Sequence, residues 1–412
     1  MAINREEIES LVRQYISQRD QLHYGDSMFS EADTRSNFID PFFAALNWDI
    51  YNHKALQQSL REVIRETQVG VVNENTKRPD YAFKLGPERK FFAEAKRPSV
   101  NIMMDAKSSF QVRRYGWSAN LPISVLTNFE NLIIFDTTNQ PYPSQNANHS
   151  RLQVFSYEEY ITRLDVIAQL ISRDSVYSGE FDSTFSQQVD HLAIENVDDV
   201  FLETLNRWRL ELGNDLLQHY PDIDNQQLNE IIQRFILRIL FLRMCEDRGI
   251  ETYERLRGIA SDDNWKSFIN LLRESDNRFD SNLFSIANDP FFYRGDRGIR
   301  LDSVTVNNII ENLYFPQAPY TFSVFEPDFL GNVYEQFLIE QVDIEDQKAI
   351  LTRKPENVGR DVIPTPRPII NRLVRETIIP RISDLTLDDL LQQKVLDPAC
   401  GSGGFLIAAL MF

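Results

Sequence analysis

The sequence predicts an α/β domain over residues 1–165, a linker over 166–195, a mostly helical domain over 196–350 and the opening of a second α/β domain over 351–412. Three patterns carry that expectation. Apolar runs of strand length, FFAEAK (91–96), ISVLTNF (123–129) and NLIIFDTT (131–138), lie between helical stretches in the first section. In the middle, NEIIQRFILRILFLRMCEDRGI (229–250) repeats apolar residues at helical intervals around a face wide enough for a buried bundle helix. Near the end, KVLDPACGSGGFLIAAL joins an apolar strand, a glycine turn and an apolar helix.

Taken in order, the chain opens on MAINREEIESLVRQYISQRD, a charged helix with Ile8, Leu11, Val12, Tyr15 and Ile16 on one face. It lacks the apolar core of a signal peptide. After the three strand-like runs, Asn, Pro and Ser at 139–150 mark the exit from the first domain. From Ser172 to Gln188 the composition turns polar without a sustained period, as in a linker or loose crossover. Helical spacing then dominates. Pro364, Pro366 and Pro368 make a stiff entry to IINRLVRETIIPRI, which again has helical spacing. No fixed-period repeat is present, so a solenoid has no support.

Composition bounds the function. With 412 residues, 42% hydrophobic and 25% charged, the chain has material for two or three packed cores. No apolar run reaches the roughly 18 to 20 residues of a membrane helix, so a cytoplasmic protein without a membrane partner is expected. Cys245 and Cys400 are far apart and outside any ligand spacing, which argues against a disulfide framework or a zinc site. The five histidines (23, 53, 149, 191 and 219) form no metal motif. A net charge of -18 is incompatible with a polyanion-binding surface over the whole molecule. Any DNA site must be local, and from Lys77 to Arg114 ten Lys or Arg face four Asp or Glu, a surplus of +6 that leaves -24 for the rest.

That same window holds a constellation suited to phosphodiester hydrolysis. The reaction needs carboxylates to hold Mg²⁺ against the scissile phosphate and a lysine to stabilise charge or orient water. Asp80 precedes the strand-like YAFKL, the turn GPERK follows, and Glu94 and Lys96 stand two apart on FFAEAK, so they share one face. A hairpin would bring Asp80 to that face. The bland alternatives are a surface ion pair for Glu94 with Lys96 and a helix pair for Glu31 with Arg35.

The spacing of Asp80, Glu94 and Lys96 resembles the PD-(D/E)xK nuclease motif. Gln111 and Tyr115, an i, i+4 pair in QVRRY, resemble the QxxxY element of the RecB-like branch of these nucleases. SEADTRSNFIDPFFAALNWDI (30–50) resembles the opening helix of restriction-enzyme nuclease domains, in which Glu31 would complete the metal site with Asp80 and Glu94. LPISVLTNFENLIIFDTT (121–138) is similar to the strand pair that follows the catalytic core in those families.

In the last section Gly401, Gly403 and Gly404 let backbone approach a ligand, and the helix start presents free N–H groups. The string is neither a dinucleotide fingerprint nor a P-loop. DPACGSGGFL resembles motif I of the adenine-specific DNA methyltransferases of type I and fused restriction-modification systems. By that resemblance Asp397, Ala399, Gly401 and Gly403 surround the methionine part of S-adenosyl-L-methionine, Phe405 packs beneath it, and Thr365 and Pro366 meet its carboxylate end. FLGNVYEQFL (329–338) and TPRPIINRLVRETI (365–378) resemble the run-in to that motif, although Ile363-Pro364 stands where the family has tyrosines.

Together these resemblances imply a Mg²⁺-dependent PD-(D/E)xK-type nuclease domain, a helical connector and the start of a Rossmann-like methyltransferase domain, acting on double-stranded DNA. The residues that grip a flipped adenine would lie after residue 412, so methylation by the chain as given is not expected. Two rivals stand beside this reading: an inactive truncated product, and a non-catalytic DNA-binding or regulatory subunit. Recognition sequence and oligomeric state are not legible.

Overall fold

A computed structural model of the chain describes residues 3–24, 29–58, 60–65, 78–189, 196–261, 265–279, 281–285, 289–292, 298–325, 329, 331, 333, 337, 339–354, 365, 367–382, 385–401 and 403–411. It forms two compact units, one built from residues 1–71, 77–197 and 319–324 and the other from 72–76, 198–318 and 325–412.

The first unit is a six-stranded mixed sheet with helices on both faces. Its helices are α1 (Arg5–Tyr24), α2 (Glu31–Thr34), α3 (Asp40–Ala45), α4 (Ala106–Ser118), α5 (Leu164–Ile171), α6 (Arg173–Ser178) and α7 (Glu180–Val189). The strands are β1 (Val63–Arg65), β2 (Tyr81–Leu85), β3 (Glu88–Ala95), β4 (Ile123–Thr127), β5 (Asn131–Asp136) and β6 (Arg151–Ser156), hydrogen-bonded in sequence order. All neighbours are antiparallel except β3 and β4, which need a crossover and obtain it from α4.

Alternation along β3 sorts its side chains. Phe91, Ala93 and Ala95 enter a large core with Ile8, Leu11 and Tyr15 of α1 and Phe42 and Phe43 of α3. Phe92 instead packs with Tyr115 of α4. By the same alternation Glu94 lies on the α4 side of the sheet. Ile16, grouped by spacing with the buried face of α1, is 57% exposed, and the chain's contact row runs through Ile8, Leu11 and Tyr15.

Residues 172–188 depart from the linker expectation. They form α6 and α7, and Val176, Phe181 and Phe185 belong to the large core, with Phe91 stacked on Phe181 at 5.9 Å. The polar composition misled because these short helices bury few but large side chains, and Ser172 and Gly179 at their junctions serve as an N-cap and a left-handed C-cap. Arg173, at the start of this stretch, is tied to Glu62 at 2.9 Å.

The second unit contains the helices α8 (Val197–His219), α9 (Asn225–Asp247), α10 (Arg255–Ser261), α11 (Trp265–Phe279) and α12 (Ser303–Glu311). Within it, Arg238 and Asp289 form a buried ion pair that Arg234 joins at 3.1 Å. It also contains a hairpin that spacing did not reveal, β7 (Glu340–Glu345) and β8 (Lys348–Arg353), crossing the expected boundary at 350. Its turn places Asp346 and Gln347 at φ 49° and 61°, the geometry usually signalled by Asn-Gly, so the residues gave no cue. Asn229 of α9 pins β7 through both backbone groups of Val342, at 2.7 and 2.8 Å.

Towards the end, helices Arg367–Thr377 and Gly404–Met411 are formed, but the expected strand at Lys394–Asp397 is not assigned, and Val395 and Leu396 are largely exposed. A strand is defined by its neighbours, and none pairs with this one among the described residues. Pro366 and the run 355–364 lie outside the described residues.

Removing the Phe181 ring should cost the first unit about 3 to 5 kcal/mol, as for other fully buried Phe→Ala changes. Denaturant unfolding of Phe181→Ala checks this, and a loss within the range of exposed substitutions would return 172–188 to linker status.

Candidate active site of the sheet unit

The β2–β3 hairpin turns at Gly86, whose φ of 59° suits glycine, and its register sets Tyr81 opposite Ala93. Asp80, just before β2, therefore reaches the end of β3, where its Oδ2 accepts the Ala95 N–H at 2.7 Å. Lys96 follows β3, with its N–H donated to the Thr127 carbonyl of the parallel neighbour. Its Nζ lies 2.7 Å from Glu94 Oε1 and 3.6 Å from Glu31 Oε2.

Helix α4 covers this group from one side. Asp105 caps its start by accepting from the N–H groups of Lys107 and Ser108. Gly116 lets it lie close to the sheet, since a Cβ there would collide with Ser124 Oγ and sit 2.6 Å from Thr137 Oγ1. The helix thereby brings Gln111 Nε2 to 3.0 Å from Glu94 Oε1 and 3.1 Å from the Tyr115 hydroxyl.

A short helical irregularity closes the other side. Ser30 and Asp33 form a capping box that starts α2 at Glu31, and a π-turn follows from Arg35 to Ile39. In place of the alternative helix pair between Glu31 and Arg35, both make contacts across the site: Glu31 turns to Lys96, and Arg35 Nη1 donates to Asp80 Oδ1 at 2.8 Å. Sequence reasoning missed Arg35 as a site residue, and only its spacing of four from Glu31 hinted at it.

Thus Glu31, Asp80, Glu94, Lys96, Gln111 and Tyr115 gather in one place with Arg35. Asp80 and Glu94 are 7% and 4% exposed. Burial, then repulsion from Asp80, pushes Glu94 from its ordinary 4.5 up to about 8 against the pull of Lys96. Burial also raises Asp80, opposed by the Ala95 N–H and Arg35, and raises Glu31, opposed by Lys96. Burial alone would lower Lys96, but Glu94, Glu31 and Asp80 together carry it upward.

Two oxygens decide what the site can bind. Glu94 Oε1 is taken by Lys96 and Gln111, whereas Glu94 Oε2 is buried without a hydrogen-bond partner. A buried carboxylate oxygen without a donor is costly and calls for a cation or proton. Among the described residues no three His, Cys, Asp or Glu side chains form a complete metal cage. Mg²⁺ does not require one, because it is commonly held by one or two carboxylates with waters and substrate phosphate. Asp80 and Glu94 fit that donor set.

The +6 segment is not an open basic surface. Lys84, Lys90 and Arg113 are buried, and Lys90 pairs with Glu88 and Asp182. Arg89 and Arg114 donate to backbone carbonyls of Val324 and of Pro319 and Tyr320. Arg78, Arg97 and Lys107 remain exposed.

A separate candidate lies at the glycine turn of the second unit. Gly401 and Gly403 have φ of 52° and 86°, with nothing near their absent Cβ atoms, so the backbone angle rather than crowding demands glycine. Asp397 Oδ1 accepts the Ala399 N–H at 3.0 Å, and Asp397 Oδ2 has no hydrogen-bond partner. Phe405 is half-buried, while Thr365, Ala399 and Gly401 are exposed.

The raised Glu94 has a measurable consequence. Between its ordinary 4.5 and about 8 the unfolded chain ionises this carboxyl while the folded chain keeps it protonated, so its contribution to stability falls as pH rises. Glu94→Gln removes that slope. The melting temperature of the variant relative to wild type, in chelator, should rise from about pH 5 to about pH 8, each kcal/mol giving about 2 to 4 °C; a flat or falling difference would contradict the assignment.

Comparison with known proteins adds a lineage to this geometry. No family model matches the chain. It is 39% identical over 410 residues to the type II restriction enzyme and methyltransferase RM.Eco57I of Escherichia coli, a match covering 99% of this chain and 40% of the relative. The solved type IIG restriction endonuclease BpuSI matches 92% of this chain and 37% of its own at 16% identity, with a TM-score of 0.25, too loose a superposition to fix the fold. Over nearly its whole length the chain is thus similar to a fused type II restriction enzyme and methyltransferase, of whose length it spans about two fifths.

Proposed function

We propose that the chain carries the DNA-cutting part of a restriction-modification enzyme, a Mg²⁺-dependent nuclease of the PD-(D/E)xK type. The observation that supports it most directly is the buried, unpartnered Glu94 Oε2 beside Asp80, on a strand whose next outward residue is Lys96. Asp80 and Glu94 would hold the ion, and Glu31 would join them on leaving Lys96. A bound Mg²⁺ supplies charge for the scissile phosphate and lowers the pKa of water. Lys96 Nζ, with three donors, orients the attacking water and stabilises negative charge growing on the phosphate oxygens. Gln111 holds Glu94 by one oxygen and so aims the other, while Tyr115 fixes Gln111. The substrate is double-stranded DNA and the setting cytoplasmic. Arg78, Arg97 and Lys107 are the exposed cations nearest in sequence to meet its phosphates.

We further propose that the glycine turn serves an adenine-specific methyltransferase, with Asp397, Ala399, Gly401, Gly403 and Phe405, and with Thr365 and Pro366, taking S-adenosyl-L-methionine. The left-handed glycines and the free oxygen of Asp397 support that reading. Because Thr365, Ala399 and Gly401 are exposed, the 412-residue chain alone should bind the cofactor more weakly than about 10 μM by calorimetry. Tighter binding would mean a pocket already closed.

For the nuclease, Asp80→Ala and Glu94→Ala should each abolish Mg²⁺-dependent cleavage in the intact restriction-modification polypeptide. Lys96→Ala should slow cleavage by about a hundredfold or more, the cost of one charge-stabilising donor, while Mg²⁺ still binds. Wild-type cutting rates in the Asp80 and Glu94 variants would end the nuclease assignment.

A further inference from the structure

Asp80 has both oxygens engaged before any ion arrives. Oδ2 is held by the Ala95 N–H at 2.7 Å, which orients the carboxylate, and Oδ1 accepts Arg35 Nη1 at 2.8 Å. Under the metal-dependent reading above, on which this inference rests, Oδ1 is the oxygen the ion needs. We propose that Arg35 is the resident counter-cation of the site and that a divalent cation binds by displacing its guanidinium from Asp80.

Charge favours exchange over addition. Once an ion has displaced the Glu94 proton, Glu31, Asp80 and Glu94 face Lys96 and Arg35 as three carboxylates against two cations. A divalent ion added to all five would leave an excess of positive charge in a poorly solvated space, whereas one replacing Arg35 leaves three negative charges against three positive. Without Arg35 the ion-free site would hold Glu31 and Asp80 beside a protonated Glu94 with Lys96 as the remaining cation, and Asp80 is 7% exposed. The guanidinium thus makes the empty site tolerable.

Geometry allows the exchange. The Arg35 side chain, 21% exposed, is paired with Asp80, whereas Lys96, 16% exposed, lies between two carboxylates and is the harder of the two to remove. Arg35 begins the π-turn, a helical irregularity of the kind frequent at functional sites. Arg35 therefore acts as a positioning residue, holding Asp80 in register until the ion takes over.

The test is Mg²⁺ titration of the 412-residue chain by calorimetry, with thermal melts in chelator and in Mg²⁺. Arg35→Gln and Arg35→Ala should bind Mg²⁺ about tenfold more tightly than wild type, the lower worth of one charge-assisted hydrogen bond. Both should melt lower in chelator and gain more from Mg²⁺. Arg35→Gln keeps a donor without the charge, so it decides the matter if the alanine variant does not fold. Unchanged or weaker binding by Arg35→Gln, while wild type binds and Glu94→Gln does not, overturns the displacement and leaves the metal site standing. If wild type and both variants all fail to bind Mg²⁺ at millimolar concentrations, the metal-dependent reading fails and this inference falls with it.

Discussion

Two carboxylates brought together at the end of β2 and β3, where water scarcely reaches, are the constraint around which the first unit is arranged. Asp80 and Glu94 repel one another, and burial deprives both of the hydration that would make ionisation cheap. The neighbourhood answers with donors that occupy one oxygen of each: the Ala95 amide for Asp80, and Lys96 with Gln111 for Glu94. What remains is an oxygen on Glu94 without a partner and an oxygen on Asp80 covered by arginine. A carboxylate pair tied in this way has little rotational freedom, which is the preorganisation that ion binding or charge stabilisation requires.

The supporting structure follows from that need. The parallel β3–β4 pair demands a crossover, and the crossover helix carries Gln111 and Tyr115. Gly116 sets how near that helix can come. On the opposite face of the sheet, a core rich in aromatic residues, including Phe42, Phe43, Phe83, Phe91 and Phe181, holds β2 and β3 rigid from behind. Stability and site geometry are therefore coupled through β3, whose alternate residues serve the core and the chemistry.

Electrostatics in this unit is local rather than a field over the surface. Most cations of the basic segment are consumed inside the fold, as Lys90 is by Glu88 and Asp182 and as Arg114 is by backbone carbonyls. At a net charge of -18 the chain offers a polyanion only a few exposed cations of this segment rather than a basic face.

The strands around the site, the helix bearing QVRRY and the long helix at 225–247 were legible in the residues, because period-2 and period-3.6 patterns are local properties. So was the grouping of Asp80, Glu94 and Lys96, since a short hairpin leaves the chain few other places to put them. Polar 172–188 concealed two packed helices, because two phenylalanines suffice to anchor a short helix when a sheet face awaits them. The β7–β8 hairpin escaped because its turn adopts left-handed angles without glycine or asparagine. Arg35 was out of reach for a deeper reason. Its helical spacing pointed to Glu31, a neighbour on its own segment, yet the π-turn and the packing of α3 against the sheet gave it Asp80, 45 residues away. Local periodicity determines which face a side chain takes; which buried charge it meets there is decided only when distant strands close over it and water is excluded.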